Sequence, residues 1–181
     1  ECLQFGEKAL STGSFHVAAE HFRGAIQFDP NNPVPHYGLA ESLNRLGANE
    51  QALVEIFEAF RLKPDYFQAR FLCGTIMMAR GNWDEAAGQF LQILKLHPEN
   101  IPTRGNLAIC YEQKGQYDDA ITQLKYICET EPNNMDGHYN LACAYDAERE
   151  WDAAASEYKR VIQLNPKHSL AYVMLAGCLI N

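Results

Sequence analysis

The chain has few of the residues that keep a polypeptide disordered. It contains 8 prolines and 12 glycines among 181 residues, and 47% of its residues are apolar. Disordered segments are richer in proline and glycine and poorer in apolar residues. The composition therefore predicts a folded domain of ordinary globular type.

Long hydrophobic runs are also missing. Apolar runs are short, such as the run from Ile76 to Ala79, whereas a membrane span needs about 20 apolar residues. No basic segment followed by an apolar one opens the chain, so we expect neither a membrane span nor a signal peptide. Because the sequence begins with Glu1 rather than methionine, we expect it to be a piece of a longer protein.

Positive charge is scarce. The chain has 15 Lys and Arg against 23 Asp and Glu, a net charge of −8, and its basic residues form no cluster. An acidic surface repels the phosphate backbone, so we do not expect a nucleic-acid partner. The charge favours a protein or peptide partner that offers a basic or neutral-polar segment.

Motifs that carry catalysis are absent. The sequence has no H-E-x-x-H, no G-x-S-x-G, no G-x-x-x-x-G-K-[ST] and no G-x-G-x-x-G. We therefore predict that the chain is not an enzyme and binds no cofactor and no metal.

Six cysteines are present without any C-x-x-C spacing: Cys2, Cys73, Cys110, Cys128, Cys143 and Cys178. We interpret them as small apolar residues within helices, and a zinc site or a disulfide framework is the alternative. Scattered, unpaired cysteines favour a reducing compartment, the cytoplasm.

A period of 34 residues organises what the sequence does contain. Prolines recur at Pro30, Pro64, Pro98, Pro132 and Pro166. Alanines precede them by twelve residues, at Ala18, Ala52, Ala86, Ala120 and Ala154. Four residues after each alanine stands a large apolar residue: Phe22, Ile56, Phe90, Leu124 and Tyr158. The two columns share one face of a helix, so each unit presents one small and one large residue to a neighbour.

Each unit is predicted to hold two helices, A and B. In the second unit, helix A covers about Val34 to Leu46 and helix B about Glu50 to Leu62. Glycine stands in the turn between the two helices of the first four units, where a C′ residue needs φ > 0. Arg149 replaces it in the fifth unit, and we expect a strained or altered turn there.

These columns resemble the tetratricopeptide repeat family, most fully in the fourth unit: Leu107, Ala108, Tyr111, Tyr117, Ala120, Leu124, Ile127 and Pro132. The resemblance covers the whole chain and implies protein binding without naming a partner. With the stacking that such units require, the columns predict an all-α, right-handed α-solenoid of stacked antiparallel helix pairs. We expect one domain over 1–181, with repeats at about 1–32, 33–66, 67–100, 101–134 and 135–168, and a partial repeat at 169–181.

Helix A of each repeat is expected to line a concave groove that binds a peptide segment of a partner. The predicted groove residues are Tyr37, Glu41, Asn44, Arg45, Phe71, Thr75, Asn106, Glu112, Gln113, Tyr139, Asn140 and Asp146. Tyr37, Phe71 and Tyr139 share one column and predict an apolar band along the groove. The alternative is that these rings fill space between adjacent helices. The groove carries more acidic than basic residues, which again favours a basic segment.

Asn106 and Asn140 share another column and are suited to hydrogen bonding with an extended peptide backbone. They look like a short piece of the asparagine ladder in O-GlcNAc transferase, although Gln4, Gly38 and Leu72 occupy the other positions. His36 and His138 occupy a third shared position, and we interpret both as packing residues.

One family function is predicted to be absent. Family members that hold chaperone C-terminal tails use a clamp of Lys, Asn and Arg. Here the first Asn position holds Glu7, Glu41, Thr75, Ile109 and Cys143. We therefore do not expect binding to those tails.

Two alternative functions stay open. The last helix offers the apolar residues Leu175, Leu179 and Ile180, through which copies of the chain would assemble into a homo-oligomeric scaffold. The other alternative is a substrate-recruiting arm of a larger enzyme, such as a glycosyltransferase.

Overall fold

Eleven α-helices and no strand make up residues 1–180, the part of the chain that the computed structural model describes. In chain order they are α1 (Cys2–Ser11), α2 (Phe15–Phe28), α3 (Pro33–Arg45), α4 (Asn49–Leu62), α5 (Phe67–Ala79), α6 (Trp83–Leu96), α7 (Ile101–Gln113), α8 (Tyr117–Thr130), α9 (Met135–Ala147), α10 (Trp151–Leu164) and α11 (Ser169–Ile180). The predicted all-α fold class is confirmed. Helices α3 and α4 begin and end within one residue of their predicted bounds.

The chain forms two compact units, Glu1–Gly81 (unit 1) and Asn82–Asn181 (unit 2). Unit 1 holds α1 to α5 and unit 2 holds α6 to α11, and within each unit every helix packs on the next one along the chain. The boundary lies in the turn of the third predicted repeat, between its helix A and its helix B. The single domain over 1–181 stays a prediction.

No helix within residues 1–180 has both the length and the apolar character needed to cross a membrane.

Two residue columns build the core of each unit. The alanine column is completely buried in both units: Ala18 and Ala52 in unit 1, and Ala86, Ala120 and Ala154 in unit 2. Beside it lie the buried large residues Phe22, Ile56, Phe90, Leu124 and Tyr158. Each large side chain contributes about 1.5–3 kcal/mol by leaving water, and the alanines let the neighbouring helix approach closely enough to bury it.

Position 38 requires glycine because its backbone packs closely against the Phe22 ring. A Cβ at this position would lie 2.5 Å from carbons of the Phe22 ring, and a Cβ at Gly6 would lie 2.8 Å from the same ring. Phe22 is itself buried, so its ring cannot turn into solvent. Helices α1 and α3 therefore both need glycine where they pass Phe22.

The turns inside the repeats share one left-handed residue. Gly13, Gly47, Gly81 and Gly115 have φ between 71° and 78°, and Arg149 has φ 62°. In the fifth repeat the Glu150 amide still donates to Tyr145 O at 2.9 Å, as the Gln116 amide does to Tyr111 O in the fourth. The fifth turn therefore keeps the common geometry and places a non-glycine residue in a conformation that costs about 1–2 kcal/mol.

Helix starts are stabilised in two ways. Asn32, Asn100 and Asn134 cap α3, α7 and α9, each accepting a hydrogen bond from a backbone amide in the first turn. Four of the helices B (α4, α6, α8 and α10) carry carboxylates in the first turn instead, where the positive end of the helix dipole favours them. Two of these also pair with a base near the end of the next helix A: Glu50 with Arg80 at 2.9 Å and Asp84 with Lys114 at 2.6 Å.

We predict that Gly38→Ala destabilises the chain by about 1–3 kcal/mol, because the new methyl group displaces the buried Phe22 ring. Gly105→Ala is the matched control. Gly105 lies in α7 with no atom within 4 Å of its Cβ position, so this change should stabilise by about 0.5–1 kcal/mol. Urea unfolding followed by circular dichroism measures both, and equal effects would contradict the packing argument.

We predict that Arg149→Gly raises the free energy of unfolding by about 1 kcal/mol, because glycine adopts a positive φ without strain. The reverse change one repeat earlier, Gly115→Arg, should lower it by a similar amount. Thermal melts of the two variants test the pair, and a stabilised Gly115→Arg protein would show that the turn does not demand glycine.

Candidate functional site

The twelve predicted groove residues lie on helices A, six in each unit. In unit 1, Tyr37, Glu41, Asn44 and Arg45 lie on α3 and Phe71 and Thr75 lie on α5, a helix that contacts α3. We call these six residues the α3–α5 surface. In unit 2, Asn106, Glu112 and Gln113 lie on α7, and Tyr139, Asn140 and Asp146 lie on α9. These six form the α7–α9 surface.

On the α3–α5 surface, Tyr37 is engaged by its own protein. Its ring centre lies 5.4 Å from that of Tyr66, and the carboxylate of Glu41 lies near its hydroxyl. Burial, and next the negative charge of Glu41, raise the pKa of the Tyr37 hydroxyl. The ring is half-buried, so it packs between elements while one edge stays open to solvent.

The remaining side chains of this surface differ in their contacts and in their exposure to solvent. Thr75 Oγ1 donates to the carbonyl of Leu72 at 2.9 Å, which occupies its hydrogen within α5. Phe71 is half-buried and lies 6.4 Å from Phe67, ring centre to ring centre. Arg45 is exposed one turn after Glu41, so both signs of charge are present here.

On the α7–α9 surface, Tyr139 also packs within its repeat. Its ring centre lies 5.0 Å from that of His168 and 6.0 Å from that of Tyr158. The Tyr158 hydroxyl donates to Cys143 Sγ at 3.4 Å. The alternative interpretation of the aromatic column, that its rings fill space, therefore applies to much of the area of Tyr37 and Tyr139.

Asn106 and Asn140 keep their amides available. Both side chains are half-buried, and neither amide has a hydrogen-bond partner among residues 1–180. Asn140 also lines a cleft with Pro102, Gly105 and Asp136. Each amide offers two donor hydrogens and one acceptor oxygen to a ligand.

The asparagine column ends in unit 1 for a physical reason. At its equivalent positions, Gly38 is pressed against the Phe22 ring and Leu72 is buried in the core. The same column is therefore buried at Gly38 and Leu72, exposed at Gln4, and partly open at Asn106 and Asn140.

Glu112 and Asp146 form the acidic part of the α7–α9 surface. Both carboxylates raise the pKa of the Cys143 thiol, after the larger effect of its burial, so both lie near that side chain. Glu112 Oε1 is buried without a hydrogen-bond partner in the described part of the chain, and burial raises the pKa of Glu112. Asp146 accepts a weak bond from Cys178 Sγ, at 3.6 Å. Gln113 is exposed beside them.

His36 and His138 each contact a carboxylate in addition to packing in the core. Both are buried as expected, and each holds a carboxylate: His36 Nδ1 lies 2.7 Å from Glu55 and His138 Nδ1 lies 2.6 Å from Glu157. In the fourth repeat, Arg104 takes this position and donates to Gln123 at 2.6 Å and to the carbonyl of Pro98. Sequence reasoning missed this pairing, although a polar residue followed by Glu or Gln 19 positions later recurs in four repeats.

A thiol joins one of these pairs. Cys128 Sγ, a ring nitrogen of His138 and a carboxylate oxygen of Glu157 all lie within 4.8 Å of one another. Three different helices supply the residues, so no short spacing motif marked them.

The last helix is partly open. Leu179 and Ile180 are 67% and 85% exposed, whereas Leu175 is half-buried against the core of unit 2. Only two of the three residues predicted for self-association are therefore largely available.

Comparison with known proteins agrees with the fold. Sequence profiles described as tetratricopeptide repeat match residues 3–67, 77–144 and 135–168. DnaJ homolog subfamily C member 3 of Homo sapiens is 31% identical over 93 residues, which are 51% of this chain and 18% of that protein. Protein STIP1 homolog of Dictyostelium discoideum is 31% identical over 81 residues, 45% of this chain and 14% of that protein. The chain thus spans less than a fifth of the length of these relatives.

Solved structures share the architecture at low sequence identity. MamA from Desulfovibrio magneticus RS-1 is 18% identical with a TM-score of 0.84, covering 91% of this chain and 93% of that one. YrrB, named as a TPR protein with an unusual peptide-binding site, is 19% identical with a TM-score of 0.83, covering 94% and 88%. At this identity the likeness concerns the fold.

We predict that Glu112→Gln stabilises the chain at neutral pH by up to about 1 kcal/mol, a modest gain because water still reaches part of the side chain. A carboxyl whose folded pKa is raised destabilises the fold above that pKa, and the penalty disappears once pH falls below the unfolded value. The advantage of Glu112→Gln should therefore shrink as pH falls.

Urea unfolding at several pH values measures this difference. Gln113→Glu is the control, because it places a carboxylate on the exposed neighbour and should change stability little. Greater stability of the wild-type chain at pH 8 would show that Glu112 already has a compensating partner.

Proposed function

The chain belongs to the tetratricopeptide repeat family, whose members are scaffolds for protein–protein interaction, and we propose that its α7–α9 surface binds an extended segment of a protein partner. In this role the chain is an adaptor in complex assembly. It carries out no catalysis and holds no cofactor for it.

Unused hydrogen-bonding capacity on the α7–α9 surface carries this proposal. The amides of Asn106 and Asn140 lack partners within residues 1–180, and Glu112 Oε1 is buried without one. A buried polar atom is normally satisfied, so Glu112 Oε1 supports a ligand at this surface, and the half-open amides of Asn106 and Asn140 are available to the same ligand. An extended peptide offers an amide and a carbonyl at every residue, which suits two asparagines on neighbouring helices A.

Charge selects the kind of segment. Glu112, Asp136 and Asp146 belong to helices α7 and α9, and the exposed Gln113 adds no charge. A lysine or arginine of the partner would relieve the desolvated carboxylate of Glu112. The preferred partner is therefore a basic or neutral-polar segment rather than nucleic acid or the carboxylate tail of a chaperone.

The α3–α5 surface is proposed to contribute a second contact region, through the half-buried rings of Tyr37 and Phe71 and through Arg45. Six free cysteines suit a reducing compartment, and we place the protein in the cytoplasm.

The experiment is a selection of random peptides on the immobilised wild-type chain, followed by affinity measurements on the enriched sequences. We expect enrichment in Lys and Arg and an affinity that falls with added salt. Asn106→Ala with Asn140→Ala should weaken binding by about 10–100-fold, since each lost hydrogen bond is worth about 1 kcal/mol. The experiment substitutes the asparagines rather than the tyrosines, because Tyr37 and Tyr139 also contribute to packing and their loss would affect stability.

Two exposed glutamines provide the matched control, Gln92→Ala with Gln163→Ala on helices α6 and α10. This variant should bind like the wild type. Peptides that bind the asparagine variant and the wild type equally, or whose affinity rises with salt, would contradict the proposal.

A second candidate function is self-assembly through α11, favoured by the exposure of Leu179 and Ile180. Sedimentation equilibrium tests it: a mass that grows with concentration and becomes monomeric in Leu179→Ser/Ile180→Ser would support it, and a monomer at all concentrations would exclude it. A recruiting arm of a larger enzyme is the third candidate, and the full-length sequence tests it.

A further inference from the structure

Three side chains capable of binding a metal meet in unit 2 away from the α7–α9 surface. Cys128 comes from α8, His138 from α9 and Glu157 from α10, and one ligand atom from each lies within 4.8 Å of the other two. His138 is buried and the other two are half-buried, so the cluster is shielded but reachable by a small ion.

The hydrogen bonds of His138 leave a mismatch that a cation would resolve. Its Nε2 lies 3.1 Å from the carbonyl oxygen of Pro132, which can only accept, so Nε2 carries the hydrogen. In the neutral ring, Nδ1 then presents a lone pair to Glu157 Oε2 at a distance of 2.6 Å. Two acceptors this close need a proton or a metal ion between them. Histidines that ligate metals commonly donate their other ring hydrogen to a backbone carbonyl, as here.

The polar pair formed by His138 and Glu157 recurs in other repeats, whereas the thiol of Cys128 does not. His36 and Glu55 form the same pair at 2.7 Å, and Arg104 and Gln123 replace it at 2.6 Å in the fourth repeat. The position of Cys128 holds an apolar residue in those repeats, Ile26 and Leu94 respectively. The fold therefore uses the polar pair without sulfur elsewhere, and Cys128 adds a soft ligand only beside His138.

We propose that Cys128, His138 and Glu157 bind a thiophilic divalent cation of the Zn²⁺ type, through the thiolate, Nδ1 and a carboxylate oxygen. Three protein ligands of S, N and O type match zinc chemistry and leave a fourth position for water. The two negative ligands balance the charge of the ion, so the half-buried site becomes neutral. His138 and Glu157 must separate slightly on binding, because two ligands about 2.0–2.1 Å from zinc lie more than 3 Å apart in a tetrahedral arrangement.

Metal binding at this cluster displaces protons. The thiol hydrogen of Cys128 leaves as the sulfur–metal bond forms, and the proton shared by His138 and Glu157 leaves as Nδ1 and the carboxylate turn to the ion; both go to solvent.

The test is titration of the chain with Co²⁺ under reducing conditions, followed by Zn²⁺ competition. The wild type should develop the near-ultraviolet absorption of a cobalt–thiolate bond at one equivalent, and Zn²⁺ should abolish it and raise the melting temperature. Cys128→Leu, which copies Leu94, should lose the absorption and bind Zn²⁺ at least about 10–100-fold more weakly.

Two further variants keep the test decisive. His138→Arg with Glu157→Gln copies the pair of Arg104 and Gln123, so it should fold and lose the metal. Cys143→Ala removes the other half-buried thiol of unit 2 and should leave Co²⁺ binding unchanged. Absence of cobalt–thiolate absorption in the wild type, or its retention in Cys128→Leu or in the Arg–Gln variant, would overturn the proposal.

Discussion

Close approach of helices over alanine and glycine is the constraint on which the rest of the structure depends. A helix pair cannot bury its apolar face alone, and stacking succeeds only where neighbouring backbones come near enough to enclose the large residue of each repeat. The fully buried alanine column and the contact of Gly38 with Phe22 show how little room is left. Larger residues there would separate the helices and expose the core.

A second periodic interaction fixes polar groups at the junctions between repeats. Arg70, Arg104 and His138 each reach the carbonyl of the proline that closes the preceding repeat. The same side chains of Arg104 and His138 bind Gln123 and Glu157 on the following helix B. One polar side chain thus satisfies groups on two elements. The amides of Asn106 and Asn140, in contrast, have no hydrogen-bond partner within the described chain.

The fold could be predicted well from the sequence because each column of the 34-residue period reflects a packing requirement that recurs in every repeat. The columns placed both helices of the second repeat within one residue of their observed bounds, and the glycine turns and the exception at Arg149 followed from backbone geometry. Individual site residues were harder to predict, because a position in a column does not determine how exposed its side chain is. Asn106 is half-buried, whereas Gly38 and Leu72 in the same column are buried. The cluster of Cys128, His138 and Glu157 escaped because three helices supply its ligands.

The central claim is that unsatisfied amides on the α7–α9 surface receive a peptide backbone. It is tested most directly by NMR of the side-chain amide groups of Asn106 and Asn140 during titration with a selected basic peptide. The account predicts that both amide pairs shift with saturation and that their hydrogens exchange more slowly in the complex, as new hydrogen bonds require. Shifts confined to α11 or to the helices B, with both asparagine amides unchanged, would contradict it.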